Sequence, residues 1–310
     1  MALNSQAKAF LAGIEASGAP PLYELTPEEA RGATGMITEL IGAGPDVGTV
    51  EDFRCATTTG TIGARRYVPA DAAGTILWIH GGGWVICDLD THDAVCRLLA
   101  VNSGCRVVAV DYRRAPEHPF PAPLDDCWDA LQAVAADSAA APLIVAGDSA
   151  GANMSAACAL RARDRGGPEL ALQVLVCPVI DHDMTTPSYR ERGSGPDLFL
   201  TAKDMEWFWN CYIPDPAARS VPDASPLRAE SLANLPPAIV ITAEYDPLRD
   251  EGIAYAERLH AAGVQVTHRH YEDMFHDFFS FVNLIDAGNE AVARVGAEIR
   301  ALVATLGAPA

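Results

Sequence analysis

Ser149 is set in a frame that could do chemistry. In Gly147-Asp148-Ser149-Ala150-Gly151 the hydroxyl follows an apolar run at 143–146 and precedes a helix-forming stretch, the strand-turn-helix setting in which G-x-S-x-G exposes a serine as a nucleophile. Small residues at 147 and 151 let neighbouring backbone pass close by. A serine hydroxyl attacks poorly at neutral pH, so a base must take its proton and a third group must orient that base. Asp246 falls just past the apolar run 238–242, and His276 lies in a similar post-strand segment, YEDMFHDFF at 271–279. Functional groups of parallel sheets sit beyond the carboxyl ends of the strands, so order and placement both suit acyl transfer. Asp250 and Asp273 are alternative acids, the first inside the following helix and the second close to the histidine in sequence. Asp246 before Pro247 also has the form of a helix N-cap, and His276 among aromatics that of a packed core histidine.

Acyl transfer also needs donors aimed at an oxyanion. The run His80-Gly81-Gly82-Gly83-Trp84 follows the first strong strand, and glycine amides there can face a substrate unobstructed, alongside the amide of Ala150. A phosphate cradle is the competing reading, weakened because neither a Walker lysine nor G-x-G-x-x-G is present. His268, His270 and His276 raise a metal reading, but they lack a defined ligand scaffold.

These residues need a frame, and from about residue 75 short apolar runs alternate with helix-length amphipathic segments. Strands are expected at 75–79, 106–110, 143–146, 172–176, 238–242 and 264–267, with an earlier edge strand at 65–68. Helices are expected at 91–101, 124–136, 150–163, 248–262 and 290–306. That rhythm implies a mostly parallel α/β sheet flanked by helices. Two segments depart from it: residues 1–50, with helices at 5–16 and 26–41, and an insertion at 181–224, with one helix at 202–211. Thr26-Pro-Glu-Glu29 has the capping-box pattern.

Composition narrows the function classes. A net charge of −19 repels phosphate backbones and anionic lipid, so neither nucleic acid nor membrane is an expected partner. No apolar run approaches the roughly 18 residues of a membrane span, and the N-terminus has no basic leader, so a cytoplasmic location is expected. Eight cysteines without a CxxC spacing read as free thiols in a reducing compartment.

With HGGGW, DYRRAPEHPFPAPLDD, GDSAGAN, DPLRDEG and MFHDFF in order, the chain resembles the bacterial hormone-sensitive-lipase family of esterases, in its GDSAG branch. The resemblance runs from about Phe53 to the C-terminus. It implies an α/β-hydrolase fold with a helical cap, and hydrolysis of short-to-medium-chain carboxylic esters without a cofactor or metal. It also implies Ser149 as nucleophile, Asp246 as acid, His276 as base, and the amides of Gly82, Gly83 and Ala150 as the oxyanion hole. The cap is then 1–50 plus 181–224, and the hydrolase core 51–180 plus 225–310. Trp84, Tyr189, Leu198 and Phe208 are expected in the substrate pocket, and Asp111-Tyr112-Arg113 with Glu117 in a structural tie below the nucleophile elbow, the sharp turn that carries Ser149. A homodimer through the edge strand and final helix is a further expectation. Asp277 departs from the family pattern, which has glycine after the histidine. Other functions of such a scaffold are an amidase or acyltransferase using the same triad, and a non-catalytic ligand binder like the plant gibberellin receptors, which lack the catalytic histidine.

Overall fold

A computed structural model describes residues 2–137 and 142–307. In chain order the elements are α1 (Ser5–Ala16), α2 (Pro27–Ile41), β1 (Thr49–Thr57), β2 (Gly60–Val68), β3 (Thr75–Ile79), α3 (Asp93–Ser103), β4 (Arg106–Asp111) and α4 (Ala122–Asp137). They continue as β5 (Leu143–Asp148), α5 (Ala150–Arg165), β6 (Leu172–Val176), α6 (Pro187–Arg192), α7 (Ala202–Tyr212), β7 (Ala238–Tyr245), α8 (Arg249–Ala261), β8 (Val266–Phe275) and α9 (Asp286–Leu306). The strands form one sheet in the order β1-β2-β4-β3-β5-β6-β7-β8. Only β2 runs against its neighbours, pairing antiparallel with both β1 and β4; the pairs from β4 to β8 are parallel.

The central strands are apolar throughout because both faces of the sheet are covered. Every residue of β3 is buried, and its side chains alternate between two cores. Leu77 and Ile79 join the core shared with α4 and α5, whereas Ile76 and Trp78 join the core shared with α3 and α9.

Three stretches differ from the sequence expectation: the insertion holds a second helix, α6, beside the one expected, and two strand regions differ as well. The expected edge strand at 65–68 is the end of a longer strand, and β1 before it was unanticipated; together they form a hairpin turning between Thr57 and Gly60. Strand β8 reaches Phe275, well past the expected end at 267. Both are rich in charged and half-exposed residues, so they lack the apolar run that marks a central strand.

The segments outside the β/α alternation are tied to the sheet by specific contacts. Arg31 on α2 donates to the carbonyls of Val85 and Ala115 and pairs with Glu117 through two bonds of 2.8 and 2.7 Å. The expected partnership of Glu117 with the Asp111-Tyr112-Arg113 stretch is therefore corrected: Glu117 faces the N-terminal segment. Arg113 instead grips Asp126 on α4, with bonds of 2.8 Å from both Nε and Nη2. Phe10 of α1, Phe199, Phe275 and Phe281 form an aromatic cluster, with ring centroids 4.9 to 6.3 Å apart.

Asp126 is fully buried, so removing its guanidinium partner strands a charge in the core. Arg113→Ala is expected to destabilise the protein by about 3 kcal/mol, measured as a lowered midpoint in urea unfolding.

Candidate active site

The turn after β5 holds Ser149 at φ 51° and ψ −117°, backbone angles that cost a non-glycine residue roughly 1–3 kcal/mol. Its environment enforces them. The Ser149 N–H donates to the Val176 carbonyl at 2.8 Å, and its carbonyl accepts from Asn153 at 3.0 Å. Glycine at 147 and 151 is a steric requirement, because a Cβ there would lie 2.4 and 1.9 Å from the carbonyl oxygen of Ile79.

His276 follows the last residue of β8, and Asp246 follows the last residue of β7. The imidazole Nδ1 lies 2.8 Å from Asp246 Oδ2, and Nε2 lies 3.0 Å from Ser149 Oγ. An ionised carboxylate only accepts, so Nδ1 carries the proton and Nε2 is left to accept from the serine hydroxyl. The other Asp246 oxygen accepts the Leu248 N–H at 2.8 Å. One carboxylate therefore both closes the turn ahead of α8 and meets the histidine; the N-cap reading of Asp246 is corrected, because α8 begins only at Arg249 with Leu248 at its N-cap position. Asp250 bonds instead to the Ser188 amide, and Asp273 meets Asn4 through its backbone.

All three side chains are buried, with Ser149 and His276 only 6% and 4% exposed. Burial opposes a charge on His276, but the Asp246 carboxylate and its hydrogen bond, helped by Asp277 and Asp148, raise its pKa above the ordinary histidine value.

The glycine loop expected to hold an oxyanion follows β3. Among the described residues, no backbone or side-chain acceptor takes the N–H groups of Gly82, Gly83 or Ala150. Tyr112 Oη donates to the carbonyls of His80 and Gly81 at 2.9 and 3.2 Å and braces the loop from below. Burial and the nearby His92 keep His80 neutral. A Cβ at Gly83 would fall 2.0 Å from the Phe208 ring, so that ring lies directly over the loop.

The remaining expected pocket residues are placed as follows. Trp84 is fully buried and stacks on Tyr212 of α7, with centroids 4.3 Å apart. Tyr189 of α6 is buried, with a hydroxyl that has no partner among the described residues. Leu198 is half-buried between α6 and α7.

The three histidines of the metal reading do not converge. His268 and His270 both meet Thr242 Oγ1, at 2.9 and 3.0 Å, while His276 faces Asp246 and Ser149. Two other groups bring potential ligand atoms within 4.8 Å of one another: Cys177 with Asp246 and His276, and His92 with Asp148 and Asp277. Neither Cys177 nor His92 carries a local sequence signal for such a site. Burial and the Asp246 carboxylate push the Cys177 thiol well above its usual range and keep it neutral.

Residues 76–280 match a family model described as the alpha/beta hydrolase fold. The chain belongs to the hormone-sensitive-lipase-like alpha/beta hydrolases. Esterase LipI of Mycobacterium tuberculosis is 41% identical, over 79% of this chain and 79% of its own length. An ethyl acetate hydrolase of Pseudomonas putida is 36% identical over 95% of this chain and 98% of its own. Among solved structures, an ester hydrolase from the metagenome of Lake Arreo, complexed with a bipyridine phosphonate derivative, superposes with a TM-score of 0.91. It is 36% identical and covers 99% of this chain and 100% of that one. This member of the family is a carboxylesterase. No helix among the described residues is long and apolar enough to cross a membrane.

Because Asp246 is the main source of the raised His276 basicity, Asp246→Asn should move the His276 titration to lower pH. Nitrogen NMR of the labelled imidazole checks the direction.

Proposed function

We propose that this carboxylesterase works through Ser149, His276 and Asp246, and that its substrates are small esters of short to medium acyl length. The observation that carries the reading is the continuous chain from Ser149 Oγ to His276 Nε2 at 3.0 Å and from Nδ1 to Asp246 at 2.8 Å, beside three uncommitted backbone donors.

In this scheme Ser149 Oγ attacks the carbonyl carbon as its proton passes to His276 Nε2. The charge that develops on the carbonyl oxygen is held by the N–H groups of Gly82, Gly83 and Ala150. Each such donor is worth roughly 10²–10³ in rate. Asp246 stabilises the imidazolium without taking its proton. Collapse of the tetrahedral intermediate expels the alcohol, which takes the Nε2 proton, and leaves an acyl group on Ser149. Water then enters, gives its proton to Nε2 and releases the carboxylic acid by the same route. Every step is carried by residues of this chain.

Ser149 and His276 are almost completely covered, and Phe208 roofs the glycine loop. The cap in this reading is residues 1–50 with 181–224, with α7 held down by the Trp84 and Tyr212 stack. The ethyl acetate hydrolase relative points to the proposed substrate range.

Ser149→Ala should leave a folded protein with kcat/KM lowered roughly 10⁴–10⁶-fold; near-normal turnover would remove the serine from the mechanism. In a panel of p-nitrophenyl esters from acetate to palmitate, kcat/KM should be highest among the short members. A maximum at palmitate would overturn the size assignment.

A further inference from the structure

Behind the triad lies a second group of ionisable side chains, two of them buried and one partly exposed, that the scheme above does not use. Asp148, the residue before the nucleophile, is fully buried. Its Oδ2 accepts the Gly81 N–H at 3.0 Å and lies 3.1 Å from His92 Nε2. A Cβ on Gly81 would sit 2.1 Å from that oxygen, so the oxyanion loop is pressed against the carboxylate. The far side of the His92 ring is fixed as well, with Nδ1 2.9 Å from Thr91 Oγ1. Asp277 completes the group, its carboxyl within 4.8 Å of both the Asp148 carboxylate and the His92 ring.

Asp277 adopts φ +63°, a conformation that glycine takes at least cost and aspartate tolerates. The backbone alone therefore gives no reason for a carboxyl at this position. What the carboxyl reaches is the pair that anchors the oxyanion loop, from the residue directly after His276. We propose that Asp277 is a positioning residue of the esterase reaction: its carboxyl docks the loop carrying His276 onto the His92–Asp148 pair beneath the oxyanion loop. Base and oxyanion donors are then held by one cluster and keep their spacing as charge develops. The inference rests on the esterase reading above and adds a residue to it.

The groups facing Asp277 come from several elements. They are His276 of the triad, Asp148 at the end of β5, His92 at the start of α3, and the thiols of Cys87 and Cys177. Ser280 donates to Asp277 Oδ1 at 3.2 Å. Burial raises both thiols and leaves them neutral. Burial also raises Asp277 itself, as does the Asp148 charge, while His276 and His92 pull it back. His92 is raised: burial opposes its charge, and the Asp148 and Asp277 carboxylates outweigh burial. The Asp277 carboxyl thus sits well above the usual carboxylate range, and where it is ionised it favours charged His276, so removing it lets the base stay neutral to lower pH.

Asp277→Asn and Asp277→Gly test this, because both residues accept the left-handed backbone and so leave the turn intact. The readouts are the pH dependence of kcat/KM on a short p-nitrophenyl ester and the NMR titration of the His276 imidazole. In both variants the acid limb and the His276 titration are expected to move to lower pH. At the plateau, kcat is expected to fall roughly three- to tenfold with KM within about twofold of wild type, the pattern of a group that supports the transition state more than binding. A His276 titration that keeps its wild-type position in both variants overturns the proposal, whatever happens to kcat. If the titration moves but the wild-type protein hydrolyses no ester, the esterase reading fails and the coupling of Asp277 to His276 stands.

Discussion

The site depends on how closely the backbone after β5 approaches the end of β3. The Ile79 carbonyl lies where side chains at 147 and 151 would otherwise be, and that contact sets the elbow directly beside the oxyanion loop. From it follow the strained angles of Ser149, the direction of its hydroxyl and the place of the Ala150 amide. The parallel pairing of β3 with β5 puts Ile79 level with Gly147, so sheet register and nucleophile geometry are a single constraint. A larger residue at either glycine would have to separate two central strands.

Around that contact, burial and charge are balanced locally. Asp246, Asp126 and Asp148 are all fully or almost fully buried carboxylates, and each has a cation or imidazole within hydrogen-bonding reach. Buried charges persist only when paired in this way. Most of the acidic residues behind the net charge of −19 are at least partly exposed.

Much of the site was legible because its residues answer to local rules. A serine between glycines after an apolar run, a glycine run after another, and an Asp and a His past later runs each carry a backbone reason that can be read from residue type. Asp246 illustrates the limit: residue type alone allowed either a helix N-cap or a partner for the histidine, and in the fold one oxygen meets His276 while the other accepts the Leu248 amide in the turn ahead of α8, whose N-cap is Leu248. Contacts between distant residues left no such trace. Arg31 reaching Glu117, and His92 reaching Asp148, depend on how loops 50 or more residues apart converge. The β1–β2 hairpin and the extension of β8 were missed for a different reason, since strands at an exposed edge carry polar residues that mask the period.

The aromatic cluster of Phe10, Phe199, Phe275 and Phe281 bears on how members of such a scaffold can diverge. It joins the first helix and the inserted segment to the residue immediately before His276. Replacing either segment would therefore also change the packing against Phe275, so changes in the first helix or the insertion call for matched changes at position 275.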